Sequence, residues 1–192
     1  MMTARERSAT AMAEIELQFM DAETFLDWAT RQEARHELVG GLPKMMTGAR
    51  IGHDRVVRRA LARLTDRLAG GSYEPFTDDV AVRIPNGNVR RPDVTVACGE
   101  FDPNALALTA PVVVIEVLPP PTRSFDLVRK LAEYQSLPSL RHILLVDPDD
   151  RQALLHGRDA DGAWTLETLS GPDATIDLAA LGITLALSDL YE

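Results

Sequence analysis

The sequence has little cysteine and no long apolar run. Its 192 residues include one cysteine, Cys98, which excludes an internal disulfide and a thiolate metal cluster built from one chain. Cys98 continues the apolar alternation of Val94 and Val96, so we expect a packed thiol and not a nucleophile. No stretch has the length and freedom from charge of a transmembrane helix, and residues 1–13 lack the apolar segment of a signal peptide. We therefore expect a cytoplasmic protein.

Positive charge is outweighed by negative charge, since 20 lysines and arginines face 29 acids and the net charge is −9. This balance argues against a general nucleic-acid coat protein but does not exclude a nucleic-acid enzyme with a local basic patch. The candidate patch follows one helix at a spacing of four residues: Arg55, Arg59, Arg63 and Arg67. This ridge could face phosphates. The simpler interpretation, which we slightly prefer, is an ordinary solvated face.

The chain is long enough for one domain with its own core, which we place at residues 21–192 after a disordered tail of residues 1–20. Asp21 can cap a first helix that runs to about residue 32. A glycine turn at Gly40-Gly41 then predicts a hairpin. A second helix is expected from Gly52 and His53 to Gly70-Gly71, with a buried apolar stripe.

The middle of the chain alternates between strand and helix patterns. We expect strands at residues 80–84, 90–98, 112–118 and 142–146, and a helix, capped by Thr122 or Ser124, that runs to about residue 137. The remaining C-terminal segments are typical of a hairpin and a closing edge. This order predicts an α/β (α+β) fold in which helices flank a central sheet.

Glu116 is the most informative residue, because it interrupts an apolar run of strand-forming residues at positions 112–118. A buried carboxylate needs a partner or a bound cation. Asp93 opens the preceding strand, and two acids on neighbouring strand ends can converge on one divalent metal. Carboxylates and water suit Mg²⁺ or Mn²⁺, whereas the histidines lack the close pairing typical of a zinc site. A structural ion pair at Glu116 is the alternative.

Lys130 lies at the margin of the buried stripe of the helix that follows, so it could approach the same pocket. Asp126, Lys130 and Tyr134 line up there at a spacing of four residues. An ammonium group beside a metal would stabilise charge on a phosphate or position a water. Together these groups are suited to metal-assisted hydrolysis of a phosphodiester.

Several blocks, taken in order, resemble the Uma2 group of the PD-(D/E)XK nuclease-like superfamily. The most distinctive block is the Glu-Val-Leu run at residues 116–118, followed by a helix with spaced Asp126, Lys130 and Tyr134. Residues 25–41, His53, the Pro-Asp pair at residues 92–93, and residues 142–147 and 187–191 also match. The resemblance covers nearly the whole chain after its first twenty residues and implies a restriction-endonuclease-like core with a mixed sheet.

The resemblance also implies roles for individual residues. Asp93 and Glu116 would be metal ligands, with Glu37 as an additional acid at the metal. The superfamily places its lysine two residues after the acid, where this chain has Leu118, and the Uma2 group supplies it from the next helix, which here gives Lys130. Three further side chains are expected just outside the ligands: His53, Asp126 and Tyr134.

The chain departs from the family pattern at two places. Pro119 and Pro121 stand where serines are usual, and the turn at residues 40–42 lacks the flanking acids. The resemblance implies an Mg²⁺- or Mn²⁺-dependent endonuclease acting on DNA, expected to be a homodimer. The altered rim and the acidic charge favour an alternative, a non-catalytic nucleic-acid-binding or protein-interaction module. A third possibility makes Glu116 and Lys130 a structural ion pair without a metal.

Overall fold

A computed structural model describes residues 19–118, 125–171 and 173–192. Most of the expected N-terminal tail, Pro119 to Pro121 and the proposed caps Thr122 and Ser124 lie outside these residues. The helices are α1 (Ala22–Ala29), α2 (Ile51–Leu68) and α3 (Phe125–Gln135). None of them is long and apolar enough to cross a membrane.

The strands, in chain order, are β1 (His36–Val39), β2 (Leu42–Met45), β3 (Tyr73–Thr77), β4 (Ala81–Arg83), β5 (Val89–Arg90), β6 (Val94–Cys98), β7 (Ala107–Leu108), β8 (Pro111–Val117), β9 (His142–Val146), β10 (Gln152–Arg158), β11 (Trp164–Ser170), β12 (Thr175–Leu178) and β13 (Ile183–Ala186). Short 3₁₀ helices follow β12 (Ala179–Leu181) and β13 (Leu187–Leu190).

A six-stranded mixed sheet forms the centre of the fold, in the order β11-β10-β9-β8-β6-β3. Only β8 and β9 are parallel among its described strand pairs. Helix α2 packs on one face, where Val113, Ile115 and Val117 join its core cluster. Val114 of β8 points to the other face and packs in the cluster of Tyr134 on α3. The expected helix-flanked mixed sheet is therefore confirmed.

A second, five-stranded sheet has the order β2-β1-β5-β4-β7. The predicted N-terminal helix and hairpin form part of this layer: Asp21 caps α1 by accepting from the Thr24 N–H at 2.8 Å. Gly40 and Gly41 make the hairpin turn with φ of 61° and 80°, values that a glycine adopts without strain. Phe25, Leu26 and other buried side chains of α1 and this sheet share one small core.

Four sequence expectations about the elements were wrong in detail. Helix α1 ends at Ala29 because the following residues form turns instead of a further helical turn. The strand expected at residues 90–98 is two strands in different sheets, separated at Pro92, which has no N–H for a ladder. Strand β3 was missed because it contains Pro75, which is tolerated at this sheet edge. Strand β7, which precedes β8, was missed as well.

Candidate metal centre

Five of the predicted site residues line one open cavity of about 700 Å³ beside the C-terminal end of β8. They are Glu37, His53, Asp93, Glu116 and Lys130. The segment between β2 and α2, including Met45 and Met46, forms part of its rim. Four elements and the turn before β6 therefore bring together residues that lie far apart in the sequence.

The register of the central sheet places Asp93 beside Glu116. Val94 pairs with Ile115 in the antiparallel ladder, so Asp93, one residue earlier, comes opposite Glu116. Asp93 is anchored because its Oδ2 accepts a hydrogen bond of 2.7 Å from the backbone N–H of Val117. Both acids thus sit on backbone that the sheet holds in place.

Glu116 is buried, with 3% of its surface exposed. Its Oε1 accepts a 2.6 Å hydrogen bond from the Tyr134 hydroxyl and lies 2.7 Å from the Lys130 Nζ. Burial raises the pKa of Glu116, the negative charge of Asp93 adds to the rise, and Lys130 opposes it. Burial and the same carboxylate raise the pKa of Tyr134 well above its usual value, so the tyrosine stays a neutral donor.

Lys130 lies between two carboxylates. Its Nζ is 2.7 Å from Glu116 Oε1 and 3.3 Å from Glu37 Oε1. Burial alone would lower the pKa of Lys130, but Glu116 and Glu37 outweigh this effect and raise it. Lys130 is therefore a permanent cation at neutral pH and is not suited to act as a general base.

His53, in the first turn of α2, contacts Asp93 from the other side of the cavity. Its Nε2 lies 3.2 Å from Asp93 Oδ2. This hydrogen bond raises the pKa of His53, although burial opposes the rise. His53 thus contacts Asp93, and its role just outside the proposed ligands stays a prediction.

Within the described residues, no three histidine, cysteine, aspartate or glutamate side chains are grouped closely enough to hold a metal by themselves. Glu37 stands apart because Lys130 separates it from Glu116. Among those residues, the contacts of Asp93 and Glu116 use Oδ2 and Oε1, which leaves Oδ1 and Oε2 without a protein partner. Two such carboxylates suit Mg²⁺, which usually retains several waters.

The chain is similar to known proteins over most of its length. The family model Uma2, described as "Putative restriction endonuclease", matches residues 22–188. The chain belongs to the Uma2 family. Among curated proteins, it is 29% identical to the uncharacterized protein slr1290 of Synechocystis sp., over 90% of this chain and 91% of that protein. It is 26% identical to the uncharacterized protein sll1609 of the same organism, over 85% of this chain and 95% of that one.

A solved structure shares the fold of this Uma2 protein. The crystal structure of "a putative nuclease belonging to DUF820" from Anabaena variabilis superposes with a TM-score of 0.70. The superposition covers 90% of this chain and 97% of the other, at 17% sequence identity. The chain therefore has a nuclease-like α+β fold, as the sequence resemblance predicted.

The Uma2 site contains a buried network that sequence reasoning missed. Arg90, Glu133 and Asn88 are all buried polar residues beside the predicted site. Arg90 Nη1 lies 2.8 Å from Glu37 Oε2, and its Nε lies 2.6 Å from Glu133 Oε2. The only sequence signal was the position of Glu133, three residues after Lys130 on the same helix.

Two other predicted groups lie at the edge of the site or beyond it. Asp126 is exposed and pairs with Lys44 of β2 at 2.8 Å, which lowers the pKa of Asp126. It therefore joins α3 to the hairpin and does not contact the ligands among the described residues. The arginine ridge runs along α2 away from the cavity: Arg55, Arg63 and Arg67 are exposed, and Arg59 is half-buried. A role for this ridge in binding nucleic acid stays a prediction.

Proposed function

We propose that this Uma2 protein is an endonuclease that hydrolyses phosphodiester bonds with the help of Mg²⁺ or Mn²⁺, and that its substrate is DNA. One observation carries the proposal: Asp93, Glu116 and Lys130 meet in one cavity. The family's description as a restriction endonuclease supports DNA as the substrate. A homodimer, expected of an enzyme that cuts both strands, stays a prediction.

Asp93 and Glu116 are the proposed ligands, each with one carboxylate oxygen free of partners among the described residues. Burial, with the negative charge of Asp93 as a smaller cause, raises the pKa of Glu116, and a cation beside the two acids would relieve both effects. When bound, a divalent ion there would polarise the scissile phosphate and lower the pKa of an attacking water. Hard oxygen ligands of this kind favour Mg²⁺ or Mn²⁺ over softer metals.

Lys130 supplies a fixed positive charge that is largely shielded from solvent, since only 15% of its side chain is exposed. Such a preorganised cation stabilises the negative charge that develops on a phosphate during hydrolysis. Its raised pKa keeps it charged at neutral pH. We therefore propose that Lys130 acts as an electrostatic catalyst.

Glu37 remains a predicted additional acid at the metal. Its Oε1 accepts from the Arg91 N–H at 3.2 Å and faces Lys130, and its Oε2 faces Arg90. Burial opposes ionisation, but Lys130 and Arg90 outweigh burial and lower the pKa of Glu37. These contacts support a role in holding Lys130, which Glu37 can fill with or without the metal.

A second candidate function is a non-catalytic binding module. It is favoured by the 2.7 Å contact between Lys130 and Glu116, which already partners the buried acid with a cation. In that case the ion pair would be purely structural, and the fold would serve to bind nucleic acid or protein. The net charge of −9 is compatible with a protein partner.

The deciding experiment is nicking of supercoiled plasmid in Mn²⁺ and in Mg²⁺. Wild type, Asp93→Ala and Lys130→Ala are purified in parallel. Arg151→Ala is the control, because the ion pair of Arg151 among the described residues is an exposed one with Glu192. We expect wild type and Arg151→Ala to cleave, and the two site variants to be inactive. Circular dichroism verifies that each variant is folded.

Two outcomes would contradict the proposal. Cleavage that survives Asp93→Ala would indicate a contaminating nuclease. A folded wild type that cleaves neither plasmid nor single-stranded DNA in either metal would favour the binding module.

A further inference from the structure

Arg90 is the most deeply buried charged residue beside the cavity. Its side chain has no exposed surface, and it lies between Glu37 of β1 and Glu133 of α3. A buried arginine is costly unless acids compensate it. The two acids do so here, and they raise the pKa of Arg90 although burial opposes the rise.

These contacts form a closed ring of residues that includes Lys130. Arg90 binds Glu37 at 2.8 Å, and Glu37 faces the Lys130 Nζ at 3.3 Å. Lys130 is followed three residues later on α3 by Glu133, which returns to Arg90 at 2.6 Å. The ring therefore joins two strands of the five-stranded sheet, β1 and β5, to one turn of α3.

Glu133 anchors α3 within this ring. Besides Arg90, its Oε1 accepts from the Asn88 side chain at 2.7 Å and from Arg129 at 3.2 Å. Asn88 in turn accepts from the Gly40 N–H at 2.8 Å, in the turn of the first hairpin. These hydrogen bonds connect α3 to the five-stranded sheet. They restrict the rotation of α3 about its axis and therefore the direction in which Lys130 points.

We propose that Arg90 is a positioning residue: its two-sided bridge between Glu37 and Glu133 sets the location of the Lys130 ammonium group beside Glu116. The proposal rests on the proposed nuclease function for its catalytic consequence. Arg90 has no contact with Asp93 or Glu116 among the described residues. It acts through Lys130 and not on the metal.

Arginine is needed because its planar group offers Nε to one acid and Nη1 to the other. A lysine at this position would keep the positive charge but could not span both carboxylates in the same geometry. Arg90→Lys therefore separates charge compensation from positioning. Arg90→Met/Glu133→Met removes a charged pair together and avoids leaving Glu133 as an uncompensated buried acid.

Cleavage kinetics provide the first test. We expect Arg90→Lys to fold and to lose roughly 10- to 100-fold in kcat, as is typical when an outer partner of a catalytic group is removed. The Mn²⁺ concentration for half-maximal rate should stay unchanged. Arg129→Gln is the matched control, since Arg129 contacts Glu133 but is 43% exposed and does not reach Glu37 among the described residues. It should keep wild-type kcat.

A second readout does not depend on activity. The sequence contains only two lysines, Lys44 and Lys130, so ¹³C-lysine NMR gives two resolved side-chain signals. The Lys130 ε-methylene should show two distinct proton shifts in wild type, because its ammonium is held between two acids. In Arg90→Met/Glu133→Met these shifts should merge as Lys130 becomes mobile. The signal of exposed Lys44 should not move.

Two results would overturn the proposal. Wild-type kcat in Arg90→Lys would show that charge alone suffices. An unchanged Lys130 signal in the folded double variant would show that the ring does not hold the lysine. A wild type that never cleaves DNA would refute the nuclease function, while the NMR comparison would still decide whether Arg90 positions Lys130.

Discussion

Glu37 and Lys44 lie directly opposite each other on β1 and β2. Each contacts the helix α3 that follows the central strand: Glu37 faces Lys130 at 3.3 Å, and Lys44 pairs with Asp126 at 2.8 Å. Asp126 and Lys130 are one helical turn apart. The hairpin therefore contacts α3 through two charge pairs of opposite polarity, because β1 supplies an acid and β2 supplies a lysine. If the hairpin packed on α3 in the reverse order or shifted along it, like charges would face each other.

Lys130→Met should destabilise the protein strongly. It leaves Glu37 and Glu116 buried without this cation, and removing one partner of a buried pair typically costs about 3–5 kcal/mol. Urea denaturation of the metal-free protein measures the change. Lys44→Met, which removes a half-exposed pair, should cost less than about 1 kcal/mol. Equal losses in the two variants would contradict the buried role of Lys130.

Tyr134→Phe should lower the free energy of unfolding by about 1.5–3 kcal/mol, because it removes a hydrogen bond to a buried charged group. The comparison variant is Tyr73→Phe. Its hydroxyl donates to the neutral carbonyl of Ala180 at 3.0 Å, and its loss should cost only about 0.5–1.5 kcal/mol. If Tyr134→Phe proves as stable as wild type, the tyrosine does not hold Glu116.

The pair of His53 and Asp93 should make the stability of the metal-free protein depend on pH. The pKa of His53 is raised above its ordinary value of 6.5, so its stabilising contribution is complete below pH 6.5. That contribution is lost as the pH rises through the raised pKa. The stability difference between wild type and His53→Gln should therefore shrink from about pH 5 to about pH 9. A difference that grows with pH would contradict this pairing.

The arginine ridge of α2 is either an ordinary solvated face, which is the simpler interpretation, or a surface that contacts DNA phosphates. Arg55 and Arg67 are exposed and have no ion-pair partner in the described part of the chain, whereas Arg63 contacts Asp189 at 3.3 Å. If the ridge contacts phosphates, Arg55→Gln/Arg67→Gln should weaken metal-free duplex binding and reduce its salt slope by about 1 for each phosphate that the variant no longer neutralises. Arg31→Gln/Arg151→Gln removes the same charge elsewhere. An equally weakened affinity in this control would favour a solvated ridge.

The central elements of the candidate site could be predicted because local pattern determines them. Glu116 stands alone in an apolar strand, and helical spacing places Lys130 and Tyr134 on one side of α3. Asp93 could be expected near Glu116 because it opens the preceding strand, but only the antiparallel register of β6 and β8 in the structure places the two acids opposite each other. Glu116, Lys130 and Tyr134 needed no knowledge of distant contacts.

The Arg90 ring could not be predicted in the same way. Arg90 and Glu133 are 43 residues apart and lie on β5 and α3, whose approach depends on the docking of two layers. The strand break at Pro92 had a signal in the sequence, because proline cannot donate to a ladder. Pro75 had the opposite effect, because it argued against a strand where β3 in fact forms. An edge strand such as β3 tolerates a proline.

The most direct test of the central claim is Mn²⁺ binding measured by calorimetry. If Asp93 and Glu116 form one metal site, wild type should bind a single Mn²⁺ per chain. Asp93→Asn and Glu116→Gln, which keep the shape of each side chain, should each abolish binding, while Tyr73→Phe should bind as wild type does. Mn²⁺ binding that persists in both acid variants, or its absence from folded wild type, would contradict the metal centre.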